Sequence, residues 1–117
     1  MKDDPVVSNP DLYRVVMENE RVRVLEYRDR PGERTTPHRH PDSVMITLSA
    51  FRRRLAHGDR SAEVELEPGL ARWLAAQEHA GENIGETETH VIFVELKEPD
   101  PGTGRAEGPS PIGPSDR

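Results

Sequence analysis

Between residues 13 and 96, turn-forming residues interrupt the chain at close, regular spacing, and no long segment between them has a convincing helical period. That pattern restricts the chain to short strands joined by tight turns, an all-β arrangement. Residues 13–17 and 21–27 flank the turn Glu18-Asn19-Glu20, and in the second run Val22, Val24 and Glu26 alternate with Arg23, Leu25 and Tyr27. Alternation of this kind sends successive side chains to opposite faces of a sheet. Pro31-Gly32, Gly58-Asp59 and Pro68-Gly69 are further turn dipeptides, the last placed for a type II turn. Strands are predicted over residues 43–48, 51–56, 62–66, 70–74, 80–84 and 89–96. Residues 70–78 are ambiguous, because Leu74, Ala75, Ala76 and Gln77 tolerate helix.

A chain of 117 residues is one domain's worth. Hydrophobic and charged residues each make up 32% of it, so its core must be thin. A barrel or sandwich suits that composition, since each strand need bury only every second side chain. The expected organisation is an arm over residues 1–12, a barrel over 13–97 and a flexible tail over 98–117. In the tail, proline and glycine dominate and little apolar surface remains to offset the entropy of ordering.

The formal net charge of −6 argues against nucleic-acid binding, which draws on a positive field. Arg52-Arg53-Arg54 is the local exception. On a strand Arg53 opposes the other two, and the expectation is a solvated strand or an interface ion pair; an arginine turned inward would instead clamp a carboxylate. The absence of cysteine excludes disulfides, thiolate ligands and a cysteine nucleophile, and fits a cytoplasmic location. Neither a signal-like run at residues 1–10 nor a membrane-length apolar stretch is present, so no membrane contact is expected.

The chemistry concentrates in Pro37-His38-Arg39-His40-Pro41. On a strand His38 and His40 project to one side, close enough for both imidazoles to bind one metal ion, while Arg39 points away. Taken alone, the pair is equally well explained by two surface histidines in a polar loop. A second group strengthens the metal reading: Gly32 precedes His38 by five intervening residues, and Pro68-x-x-x-x-Trp73 and His79-x-x-x-Asn83 follow downstream.

Together these residues resemble the two signature motifs of the cupin superfamily, over roughly residues 21 to 96. The resemblance implies a small antiparallel β-barrel or jelly roll, with metal ligands at His38, His40 and His79. The family's first motif also supplies a ligating Glu four or five residues after its second histidine. Here those positions hold Val44 and Met45. If the chain stays extended past Pro41, strand parity places Val44, Ile46 and Leu48 in the interior beside the histidines, with Val44 in the carboxylate's place. Asp42 is the alternative carboxylate, although it lies at the bend.

Gln77 and Asn83 share parity with His79. Gln77 could bond a bound water or a substrate carboxylate, whereas the resemblance gives Asn83 a structural role. Trp73 is the only tryptophan and is expected to pack in the barrel, with a pocket wall beside the metal as its functional alternative. The run from His90 to Leu96 is largely apolar on both faces, so His90 reads as a core or interface histidine, with a fourth ligand as the alternative. His57 beside Gly58-Asp59 reads as exposed.

Three neutral imidazoles leave an ion's charge uncompensated, which favours an anionic small-molecule ligand in the open positions. Imidazole suits Fe, Zn, Ni and Cu, and residue type does not choose among these or Mn. A metal-dependent dioxygenase, or an isomerase or hydrolase of a small organic acid, is one function the resemblance implies. A non-catalytic sensing or storage module is the other, and pairing of exposed apolar strand edges points to a homodimer.

Overall fold

A computed structural model describes residues 3–98 and 112–114. After a single helical turn, α1 (Pro5–Ser8), nine strands follow: β1 (Tyr13–Glu18), β2 (Val22–Asp29), β3 (His38–His40), β4 (Ser43–Thr47), β5 (Phe51–His57), β6 (Arg60–Leu66), β7 (Ala71–Leu74), β8 (Gln77–Asn83) and β9 (Thr89–Leu96). They form two antiparallel sheets, β1-β2-β9-β4-β7 and β3-β8-β5-β6, which face one another as a jelly roll. The predicted turns fall where Gly32, Gly58 and Gly69 adopt positive φ, a conformation glycine takes without a Cβ clash. Within 70–78 the chain is strand rather than helix over Ala71–Leu74 and from Gln77 onward, because β7 and β8 each find a pairing partner in a sheet. Of the tail from residue 98, all but Glu98 and Ile112–Pro114 lies outside the described residues.

The apolar core is as thin as the composition requires. Tyr13, Leu25, Tyr27, Met45, Phe51, Leu74, Val91 and Phe93 cluster between the sheets. Polar side chains fill much of the remaining interior, among them Asp29, His38, His40, Thr47, Gln77, Asn83 and Thr89.

The parity expectation for Val44, Ile46 and Leu48 fails here. Residues Pro41 and Asp42 leave the strand conformation, and the chain passes from the four-stranded to the five-stranded sheet at that point. The alternation restarts on the other phase, so Ser43, Met45 and Thr47 point inward while Val44 and Ile46 lie on the outer face and Leu48 is exposed. Met45, not Val44, therefore stands where the carboxylate would be. Trp73 pairs with Val44 and follows it outward, 38% exposed, while Leu74 takes the buried position. Likewise β9 is fully buried only on its Thr89, Val91, Phe93 and Glu95 face; His90, Ile92, Val94 and Leu96 are half-buried on the other.

At one end of the interior lies an ion pair that the strand pattern left on the solvent side. Arg53 turns inward and donates from Nη1 to Asp29 Oδ2 at 2.6 Å and to Thr89 Oγ1 at 3.1 Å. Asp29 also accepts from the Tyr27 hydroxyl and from Asn83 Nδ2. The guanidinium stacks over the Tyr27 ring, 5.1 Å from its centroid. Gly81 makes room for it, since a Cβ there would meet Arg53 Nη2 at 2.7 Å. Asn83 closes this network and accepts from the Gly85 amide. Arg52 and Arg54 stay on the exposed face and pair with Glu63.

Removing the carboxylate of this buried pair strands the arginine charge. Asp29→Ala is expected to destabilise the fold by about 3–5 kcal/mol. Arg52→Ala, at a solvated pair, should change stability by no more than about 0.5 kcal/mol. Urea unfolding of the two variants checks the contrast.

Candidate metal centre

The pairing of β3 with β8 assembles the histidines. His38 lies opposite His79, and His40 lies opposite Gln77. Because alternate residues share a face, all four side chains point into the barrel. The three imidazoles stand with ring centroids 4.8–5.0 Å apart. One ring nitrogen from each comes within 4.8 Å of the others, and all three residues are buried.

The hydrogen bonds choose which nitrogen each ring presents. His38 Nδ1–H donates to the Thr36 carbonyl at 2.8 Å, and His79 Nδ1–H donates to Gln77 Oε1 at 2.8 Å. Both therefore offer Nε2 to the centre, the arrangement usual for a ligating histidine with a fixed outer partner. The Tyr13 hydroxyl lies 3.3 Å from His38 Nε2. His40 is stacked on Phe93 at 4.9 Å and has no hydrogen-bond partner at either ring nitrogen. Its Nδ1 lies 3.9 Å from Glu95 Oε2, which is likewise buried and unpartnered.

An unpaired buried imidazole is costly, and a metal ion held among the three rings would satisfy it. The donor set fits the group the sequence motifs imply. His38, His40 and His79 would hold the ion.

Burial pushes all three imidazole pKa values down: His38 below its ordinary value, His40 well below it, and His79 to about 2. The neutral form is the one that ligates, so protons compete with metal only weakly here. Tyr13 is pushed upward by burial and stays a protonated phenol. Glu95 is pushed up by burial, an effect that Arg23 counters from 2.8 Å.

The other predicted residues separate cleanly. Gln77 is in place as the partner of His79, and the same Oε1 accepts from the Gly113 amide at 2.6 Å. Gln77 Nε2 donates in turn to the Gly113 carbonyl at 3.2 Å. Residues 112–114 are thus seated against the barrel, with Pro114 lining the interior cavity beside the histidines. Gly113 takes φ +81, and a Cβ there would meet Leu55 Cδ1 at 3.1 Å. His90 faces outward and binds Glu26 at 2.6 Å, so it does not join the three ligands. Asp42 does not replace the missing carboxylate: its Oδ1 accepts from the Ala76 amide at 2.8 Å. Val44 and Trp73, on the outer face, do not line the cavity. His57 is exposed.

Sequence reasoning passed over Tyr13 and Glu95. For Glu95 a signal was present, since it shares parity with Val91 and Phe93 on an apolar strand, where a charge needs a partner. For Tyr13 no local signal existed.

No protein-family model matches the chain, and no curated protein matches it. Solved structures do. A cupin domain from Bordetella pertussis Tohama I is 30% identical with a TM-score of 0.69, covering 74% of this chain and 93% of that chain. An RmlC-like cupin family protein with a double-stranded β-helix fold from Methanocaldococcus jannaschii is 14% identical with a TM-score of 0.59, covering 73% and 78%. The polyketide cyclase RemF from Streptomyces resistomycificus is 22% identical with a TM-score of 0.54, covering 76% and 66%. At these identities the last two show the likeness of fold alone.

The buried imidazoles set a pH dependence. In the unfolded chain they take up protons near pH 6.5, whereas in the fold His40 and His79 stay neutral well below it and His38 has its pKa lowered by burial. Below about pH 6.5 the unfolded state therefore binds more protons, and stability falls as pH falls. Glu95, with a raised pKa, works in the opposite sense but is one group against three. The urea midpoint of metal-free protein should drop between about pH 7 and about pH 5. A midpoint unchanged over that range would show that the rings are not held neutral by burial.

Proposed function

This chain belongs to the cupin superfamily, and we propose that it binds one divalent transition metal through Nε2 of His38, His40 and His79 and takes a small anionic ligand beside it. The observation that carries the reading is the convergence of three buried, neutral imidazoles, two of them locked as Nδ1–H tautomers by Thr36 and Gln77. A bound ion supplies Lewis acidity and positive charge in its open coordination positions. The ligands bring no charge of their own, which favours an anionic oxygen donor as the partner.

The chain's own residues shape what that partner is. Met45, Phe51, Leu74 and Phe93 form apolar walls around the cavity, and the Tyr13 hydroxyl beside His38 is placed to donate to a ligand oxygen. The cavity has a volume of about 50 Å³, and Pro114 is among the residues that line it.

Among the described residues no carboxylate lines the cavity, and Arg53 is paired with Asp29. A reaction that needs a carboxylate base is disfavoured on that ground, and metal-dependent oxygenation of a small organic acid is the enzymatic reading we prefer. The fold neighbour RemF is by description a polyketide cyclase, so an enzyme is known on this fold. The same lack of a base supports the second reading, a module that senses or stores a metal or ligand without turnover.

Protein purified without chelator should carry one equivalent of metal by elemental analysis, or bind one on titration. His79→Ala should weaken binding by more than the roughly 10–100-fold typical of losing an outer partner. No stoichiometric metal in either experiment would end the reading. Oxygen uptake with one of a panel of small carboxylates would support the oxygenase, and silence across the panel would favour sensing.

A homodimer is the proposed assembly. On the outer face of the five-stranded sheet, Met17, Val24, Val94, Val44 and Trp73 form an unbroken apolar row across all five strands. A second copy covering this row would remove Trp73 from water. Wild type should elute at twice the monomer mass, and Trp73→Glu with Val94→Lys should shift it to monomer. A monomeric wild type across micromolar concentrations would exclude the dimer.

A further inference from the structure

We propose that Glu95 is the outer partner of the metal centre, accepting the Nδ1 proton of His40 on Oε2 so that Nε2 faces the ion, and supplying the negative charge that no residue of the histidine motif provides. The inference deepens the metal reading above and rests on it.

Three observations converge on Glu95. Its side chain is 2% exposed, and the strand register places it opposite Ser43, at the base of His40. Among the described residues, the buried side-chain atoms without a hydrogen-bond partner are His40 Nδ1 and Nε2, Ser43 Oγ and Glu95 Oε2. All four belong to this one corner of the barrel. Two of them, His40 Nδ1 and Glu95 Oε2, face each other at 3.9 Å, too far for a hydrogen bond but within reach of a small side-chain rotation.

The other ligands show what is missing. His38 has Thr36 and His79 has Gln77 holding Nδ1, and His40 alone lacks an equivalent. Glu95 Oε2 occupies the corresponding position. When an ion draws His40 Nε2 toward the other two, the ring's Nδ1–H is left to bond, and Glu95 is the acceptor beside it.

The carboxylate arrives already oriented. Arg23 Nε donates to Glu95 Oε1 at 2.8 Å, and Arg23 Nη1 pairs with Asp4 Oδ2 at 3.0 Å. Asp4 caps α1 by accepting from the Val6 amide. One arginine is shared by two carboxylates, so the network keeps one net negative charge behind His40. That charge offsets part of the ion's, as a directly ligating Glu would, but from outside the ligand set. The open positions stay free, and the preference for an anionic ligand is moderated rather than abolished.

The test begins on wild-type protein. Long-range ¹H–¹⁵N NMR of the imidazoles should show His40 as the Nδ1–H tautomer without metal, and with zinc should show Nε2 ligated and the Nδ1 proton retained. Zinc affinity by chelator competition should fall about 10-fold in Glu95→Gln, whose amide oxygen can still accept the bond, and about 100-fold in Glu95→Leu. The cobalt-loaded visible spectrum should change in Glu95→Leu and be largely restored in Glu95→Gln. An Nε2–H tautomer at His40, or ligation through Nδ1, overturns the inference. So does wild-type zinc affinity in Glu95→Leu. If Glu95→Leu fails to fold, the wild-type tautomer and the near-isosteric Glu95→Gln decide. A wild type that binds no zinc at all defeats the metal reading itself, a result distinct from zinc binding that ignores Glu95.

Discussion

A buried polar group must be paired, and in a barrel with so few apolar residues that requirement governs the interior. Asp29 meets it at one end by accepting from Tyr27, Arg53 and Asn83, so that its charge is paired and both its oxygens are bonded. Thr35 does the same on a smaller scale, its hydroxyl accepting from the Gly81 amide. Among the described residues, the buried side-chain atoms left without partners are four, all around His40. A fold that satisfies its interior elsewhere and leaves one corner unsatisfied is arranged around something that completes that corner.

The two polar centres are distinct but linked. Arg53 lies in the cavity lining together with His38 and His79, and its charge contributes to lowering the pKa of both. Asp29 holds that charge in place without cancelling its field entirely. The structural end of the barrel thus helps to keep the histidines neutral, the state in which they can ligate. Gly81 serves both ends, because the absence of a side chain lets the guanidinium lie against β8 between His79 and Asn83.

The all-β class, the turns and the His38-x-His40 pair were legible in the sequence because each rests on local signals. His79 entered through the likeness to the cupin motifs, and one of the nine strands, His38–His40, was not among those predicted. Glycine at positive φ marks a turn without reference to the rest of the chain, and His38-x-His40 shares a face on any strand. Val44 was misplaced because parity holds only while the backbone stays extended, and Trp73, expected inside as the only tryptophan, follows Val44 outward through their pairing. The break at Pro41 and Asp42 is visible as a proline, but how far it rotates the chain depends on which sheet receives the next strand. Arg53 could be seen to oppose its neighbours, yet only Asp29 on β2, distant in sequence, decides that it turns inward.

By itself, the sequence determined an all-β chain with three histidines able to converge, since period, turn chemistry and residue type are properties of short segments. Tertiary structure decided which sheet face is inside after the bend, which nitrogen His38 and His79 present, and that Glu95 stands behind His40. Those depend on contacts between strands far apart in the chain, where register and burial set which groups meet and whether a charge finds its partner.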